Sequence, residues 1–153
     1  MRRSIAATRS CGKSSKTGWS STPSRVDSTD AWEWLAYAES DATAMGVLGE
    51  AHLRQAAFLL QQAAEKALKA LLVAHGVPLR KTHDLEVLLE YVLEVDASME
   101  RHRGLCEDVT LAYVGQRYPS MDPWEPTVDE FRANVGHLHH LMGDVRERLR
   151  SMA

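Results

Sequence analysis

Apolar residues recur along this chain at helical spacing, and no segment alternates with period two. The clearest stretch is Phe58-Leu-Leu-Gln-Gln-Ala-Ala-Glu-Lys-Ala-Leu-Lys-Ala-Leu-Leu72. It holds no Gly, Pro or β-branched residue, so its summed helix propensity is high. Leu60, Ala64, Ala67, Leu68 and Leu71 make an apolar stripe at 3/4 spacing. Gln61, Gln62, Glu65, Lys66 and Lys69 fall to the other side and read as a solvated face, with Glu65 and Lys69 set for an i,i+4 pair, or in a dimeric bundle as the lining of a groove or subunit interface. The small alanines let a second helix approach closely, which predicts the central helix of a bundle.

The flanking text supplies starts and stops. Asp30, with Glu33 three residues on, predicts the first helix, carried by Trp32, Leu35, Tyr37 or Ala38, Ala42, Met45 and Leu48 to about His52. A second helix is expected from about Leu53 to His75, where Gly76 allows a left-handed stop and Pro78 forbids continuation. Thr82 and Asp84 are both suited to cap a third helix, which holds Leu85, Val87, Leu88, Leu89, Val92, Leu93 and Val95. A fourth runs from about Ala97 to Gly115. Pro119, Pro123 and Pro126 then interrupt. Thr127-Val-Asp-Glu130 restarts a last helix as a capping box, followed by Phe131, Val135, Leu138, Leu141, Met142, Val145 and Leu149. The fold class expected is all-α, an antiparallel bundle of about five helices.

Charge divides the chain in two. Residues 1–29 carry six Lys/Arg against one acid and are rich in Ser and Thr, the composition of a disordered tail. The remainder carries twelve Lys/Arg against twenty acids, so the expected domain, 30–150, lacks a bulk electrostatic footprint for nucleic acid. Within the tail, Ala7 to Ser14 spells a loose phosphate-loop pattern ending Gly12-Lys13-Ser14. The strand before and helix after that such a loop requires are missing from the pattern, which argues against it. No run approaches the ~18 apolar residues of a membrane span, and the tail has no apolar signal-peptide centre. Cys11 and Cys106 lie far apart in unlike sequence, which fits a reducing cytoplasm rather than a disulfide.

Three motifs in order resemble one known family. The Gln61-Gln-Ala-Ala-Glu-Lys-Ala-Leu-Lys-Ala-Leu-Leu72 block, the Lys81-Thr-His-Asp-Leu85 helix start and Arg117-Tyr118-Pro119 before a capped final helix look like the HEPN domain. The resemblance covers about residues 30 to 150. It implies a helical bundle that usually forms a homodimer, no cofactor, and a prokaryotic setting, often beside a minimal nucleotidyltransferase. Function in the family is divided. Some members are metal-independent endoribonucleases, toxins or defence effectors, with an Arg-x4–6-His motif at a dimer cleft. Others lack the motif and bind nucleotides or partners.

Candidate residues follow from that division. Arg132 and His137 meet the catalytic spacing, with Arg to hold phosphate and His to move a proton. Five residues of helix separate them by about 500°, so they do not share a face. Arg117, at a helix end before a rigid Tyr-Pro turn, suits bidentate phosphate or carboxylate contact, against the plainer reading that it pairs with an acid of the bundle or caps the fourth helix; Tyr118 is a candidate to stack on a base, though a Tyr before Pro more often packs. Lys81 and His83, with Arg80, form a small basic group able to take phosphate, against the plainer reading of a helix start stabilised by Asp84. His137 and His140 share a helix face without a carboxylate to complete a metal pattern, so no metal site is expected. The expected function is a module binding a nucleotide, RNA or a partner nucleotidyltransferase in a toxin–antitoxin-like or defence system. The alternative is an active endoribonuclease with its Arg/His site at a dimer cleft.

Overall fold

The computed structural model describes residues 28–117 and 125–153, with side chains described at 30–110 and 125–153. The tail with its loose phosphate-loop pattern, and Tyr118 with the first two prolines of the interruption, lie outside these residues. Among the described residues there are five α-helices: α1 Ser28–Leu48, α2 Leu53–Ala74, α3 Leu85–Val95, α4 Arg103–Arg117 and α5 Val128–Met152. Short 3-10 helices, Gly49–His52 and Ala97–His102, precede α2 and α4. The described residues contain no strand.

α2 is the axis of the bundle and packs against each of the other four helices. The four-residue 3-10 turn folds it back along α1, an antiparallel pair. Its alanines do what their size allows: Ala56, Ala63, Ala64, Ala67 and Ala70 are fully buried. Around them sit Leu35 and Met45 of α1, Leu85, Leu88 and Leu89 of α3, and Leu138 and Leu141 of α5. Trimming one of the fully buried leucines to alanine would cost about 2–5 kcal/mol.

One expectation is corrected here. Gln61, Glu65 and Lys69 do not form a solvated face; they are 0%, 4% and 8% exposed. A helix walled in by four neighbours has no broad solvent side. Fourteen of its 22 residues are buried, so polar groups on the face toward α1 and α3 go inside with the rest.

Helix ends use the signals in the text. After α2, Gly76 takes φ +69°, its N–H bonding to the Val73 carbonyl at 2.9 Å and the Val77 N–H to Leu72 at 2.9 Å. This paired closure needs the left-handed residue that glycine supplies. Of the two residues suited to start α3, Asp84 is the cap, its Oδ1 accepting from the N–H groups of Glu86 and Val87 at 2.9 and 3.2 Å. Thr82 Oγ1 in turn accepts from the Asp84 N–H. At α5 the capping box is complete: Glu130 N–H donates to Thr127 Oγ1 and Thr127 N–H to Glu130 Oε2.

Candidate functional site

The buried polar residues of α2 converge on one imidazole. Glu65 accepts a hydrogen bond from Lys69 Nζ at 2.6 Å, one from Gln61 Nε2 at 3.3 Å, and one from His83 Nδ1 at 3.1 Å. Gln61 Nε2 also donates to the His83 carbonyl at 3.0 Å, which fixes the loop backbone. Behind the carboxylate, Lys69 Nζ lies 5.6 Å from the centre of the Trp34 ring, so its charge is met by a carboxylate on one side and a π face on the other. One i,i+4,i+8 row of α2 and the start of α3 thus build a charged cluster inside the bundle.

The cluster reaches the surface at His83. Its side chain is 53% exposed, against 6% for Glu65. An ionised carboxylate only accepts, so the Nδ1 of His83 must carry the proton it shares with Glu65. In the neutral ring that selects the Nδ1–H tautomer and sets the ring's orientation. Arg80 and Lys81, both exposed, stand just before it in the chain, and the Arg80 guanidinium stacks 4.9 Å from the Tyr91 ring centre. The arrangement offers an oriented imidazole in a loop that also carries two cations, a chemistry suited to phosphate and to proton transfer.

The other predicted residues disperse. Arg132 forms an exposed ion pair with Glu50 at the α1–α2 corner, while His137 lines a cleft between α4 and α5. The structure does not bring the two into one described site. Arg117 ends α4, and its side chain, like all of Tyr118, lies outside the described residues. Among the described residues no group of three or more His, Cys, Asp or Glu is placed to hold a metal ion, and no helix is long and apolar enough to cross a membrane. Cys106 is buried in the core, and burial pushes its thiol up to about 12, which removes it as a nucleophile.

A second histidine–carboxylate pair has no sequence signal. His102 Nε2 donates to Asp144 Oδ2 at 2.6 Å across 42 residues of chain. Asp144 also pairs with Arg101 and, at 3.9 Å, with Arg148. Burial holds the His102 imidazole below its ordinary value, and the Asp144 hydrogen bond only partly opposes this. Burial alone would raise Asp144, but the hydrogen bonds from His102 and Arg101 outweigh it and keep the carboxyl below the usual range.

The first cluster was half-visible in the text. His83 and Lys81 stood out, whereas Glu65, Lys69, Gln61 and Trp34 did not. The usable signal was the alanine run itself: a helix with small residues on more than one face can be packed on more than one face, and polar residues buried there must find partners.

Comparison with known proteins agrees with this architecture. The family model of the HEPN domain matches residues 31–148. No curated protein and no solved structure matches the chain. The chain belongs to the HEPN family, whose members are nucleotide-binding or ribonuclease-like helical modules.

Proposed function

We propose that this HEPN chain binds a nucleotide or the phosphate backbone of RNA at the α2–α3 junction, around His83, Lys81 and Arg80. One observation carries the reading: a buried ionic cluster, costly to assemble, is organised around a single half-exposed imidazole. Burying Glu65 and Lys69 adds little net stability compared with apolar residues of the same volume. Their geometry instead holds one ring in one orientation, on a loop whose preceding residues are two exposed cations. In this reading the chain acts as a homodimer in a prokaryotic toxin–antitoxin-like or defence system, alongside a partner nucleotidyltransferase, and Arg117 and Tyr118 extend the phosphate and base contacts.

A second reading is favoured by the Glu65–His83 pair. A carboxylate that orients and supports an imidazole is what a proton shuttle needs when a 2′-hydroxyl attacks its own phosphodiester. On that reading the module is a metal-independent endoribonuclease, with an arginine, Arg117 or Arg132, supplying the phosphate contact.

The test is a labelled RNA pool incubated with purified protein in EDTA, with binding followed by fluorescence polarisation, for wild type, His83→Ala and Arg117→Ala. Binding weakened at least about tenfold in His83→Ala supports the junction as the site. Cleavage that His83→Ala abolishes promotes the second reading over the first. Undiminished binding in that variant removes the junction from both.

A further inference from the structure

Where the middle of α4 and the start of α5 meet α2, a narrow crevice is walled by Ala57, Leu60, Val109 and Phe131. Two polar residues complete it. Asn134 is 8% exposed, and its side-chain amide has no hydrogen-bond partner among the described residues. An enclosed amide left without a partner is costly, so this one is placed for a group that comes from elsewhere. Asp108 stands at the rim, exposed and without an ion pair among the described residues. Arg132, two residues from Asn134 on α5, is engaged by Glu50. Glu125 and Asp129, both exposed, add negative charge beside the lining residues Pro126 and Phe131.

These groups define the occupant. The Asp108 carboxylate repels an anion, so the crevice takes positive charge. The space inside is about 10 Å³, room for one water-sized group. An ammonium has that size, whereas a guanidinium is a wider plane. One amide and one carboxylate are too few for a hard metal cation, which takes about six or more oxygens. They suit the donors of a single ammonium group.

The chain carries such a group itself. Residues 1–29 hold six Lys/Arg against one acid, while the remainder holds twenty acids. The two lysines among them, Lys13 and Lys16, stand fifteen and twelve residues before Ser28, where α1 begins. The Arg132–Glu50 and Arg146–Glu39 pairs set α5 antiparallel to α1. Asn134 is therefore level with the far end of α1, ~30 Å along the bundle from Ser28 at 1.5 Å per residue. Twelve extended residues cover ~40 Å, so both lysines reach the crevice; Arg25, three residues out, covers only ~10 Å.

We propose that this crevice is the docking site of the chain's own basic N-terminal segment, with the ammonium group of Lys13 or Lys16 seated between the Asn134 amide oxygen and the Asp108 carboxylate. Gly12-Lys13-Ser14, which lacks the strand and helix of a phosphate loop, then serves as a tether to the α4–α5 corner.

The test uses a spin label on the full chain. Cys106 is buried and its thiol is pushed up to about 12, so a thiol-reactive label goes to Cys11, two residues from Lys13. The amide signals of Asp108, Val109, Phe131 and Asn134 should lose intensity, and more so than those of Ala31 and Trp32 at the root of the tail. Asp108→Asn, at an exposed position, should restore the crevice signals, as should Lys13→Gln with Lys16→Gln. Lys13→Arg with Lys16→Arg keeps the charge and should also restore them, because the guanidinium does not fit. An unchanged thermal midpoint in Asp108→Asn establishes that the bundle is intact. The proposal is overturned by intensity loss confined to the root, by loss at the crevice that persists in Asp108→Asn, or by equal loss in the arginine pair. Loss at the crevice of a ¹⁵N-labelled chain that appears only on mixing with a spin-labelled chain also overturns it, since the occupant is then a second copy's tail.

Discussion

Among the described residues two histidine–carboxylate pairs stand out, and they are built the opposite way round. At the α2–α3 junction the carboxylate is inside: the Glu65 side chain is 6% exposed and the His83 side chain 53%. Between α4 and α5 the imidazole is inside: His102 is 5% exposed and Asp144 18%. In each pair the enclosed partner has no freedom left and sets the position of the open one. A buried carboxylate orients an imidazole, a group that moves protons and binds phosphate. A buried imidazole orients a carboxylate, which in turn holds Arg101 at the edge of a cleft. The same two side chains therefore make different devices, and burial decides which.

The sharpest break should come from Glu65→Ala, at about 3–5 kcal/mol, because it leaves Lys69 charged and enclosed without its carboxylate. Urea unfolding measures it, and a loss below about 1 kcal/mol would mean that Lys69 reaches water. His102→Ala comes next, at about 1–3 kcal/mol for the lost buried hydrogen bond. Asp84→Ala removes the cap of α3 and should cost about 1 kcal/mol; because Asp84 adjoins His83, it should also weaken nucleotide or RNA binding by loosening the loop. The smallest stability change belongs to His83→Ala, within about 0.5 kcal/mol, since its ring is half in water. Equal losses from His83→Ala and His102→Ala would erase the contrast between the pairs.

Acid separates the two sites further. His102 has its folded value below that of the unfolded chain, so the unfolded state takes up a proton first and stability falls as pH drops through about 6.5. Asp144 and Asp96 are also held low, by hydrogen bonds to His102 and Arg101 and to Ser98 and Arg148 that outweigh burial. Their contribution is present above about pH 4 and is lost below it. Thermal midpoints between pH 8 and 3 should show both limbs, and His102→Gln should flatten the first while sparing the second.

The helices and their ends were legible in the text because each rested on local chemistry. Gly76 and Pro78, Asp84, and the Thr127–Glu130 box act within a few residues of themselves. The cluster around Glu65 was not legible, because the same i,i+4 charges describe both a solvated stripe and a buried one. Only the number of helices packed on α2 separates the two, and that is a tertiary fact. His102 and Asp144 are further out of reach, since no periodicity joins residues 42 apart. Arg132 and His137 show the converse: a spacing that matches a motif, yet Arg132 pairs with Glu50 while His137 faces a different cleft.

The most direct test of the account is long-range ¹H–¹⁵N spectroscopy of the histidine rings at pH 8, with a short RNA titrated into the full chain. The account predicts the Nδ1–H form at His83 and the Nε2–H form at His102, with the His83 signals moving as RNA binds and the His102 signals still. Binding that leaves His83 unmoved, or a His83 ring protonated only at Nε2, would contradict it.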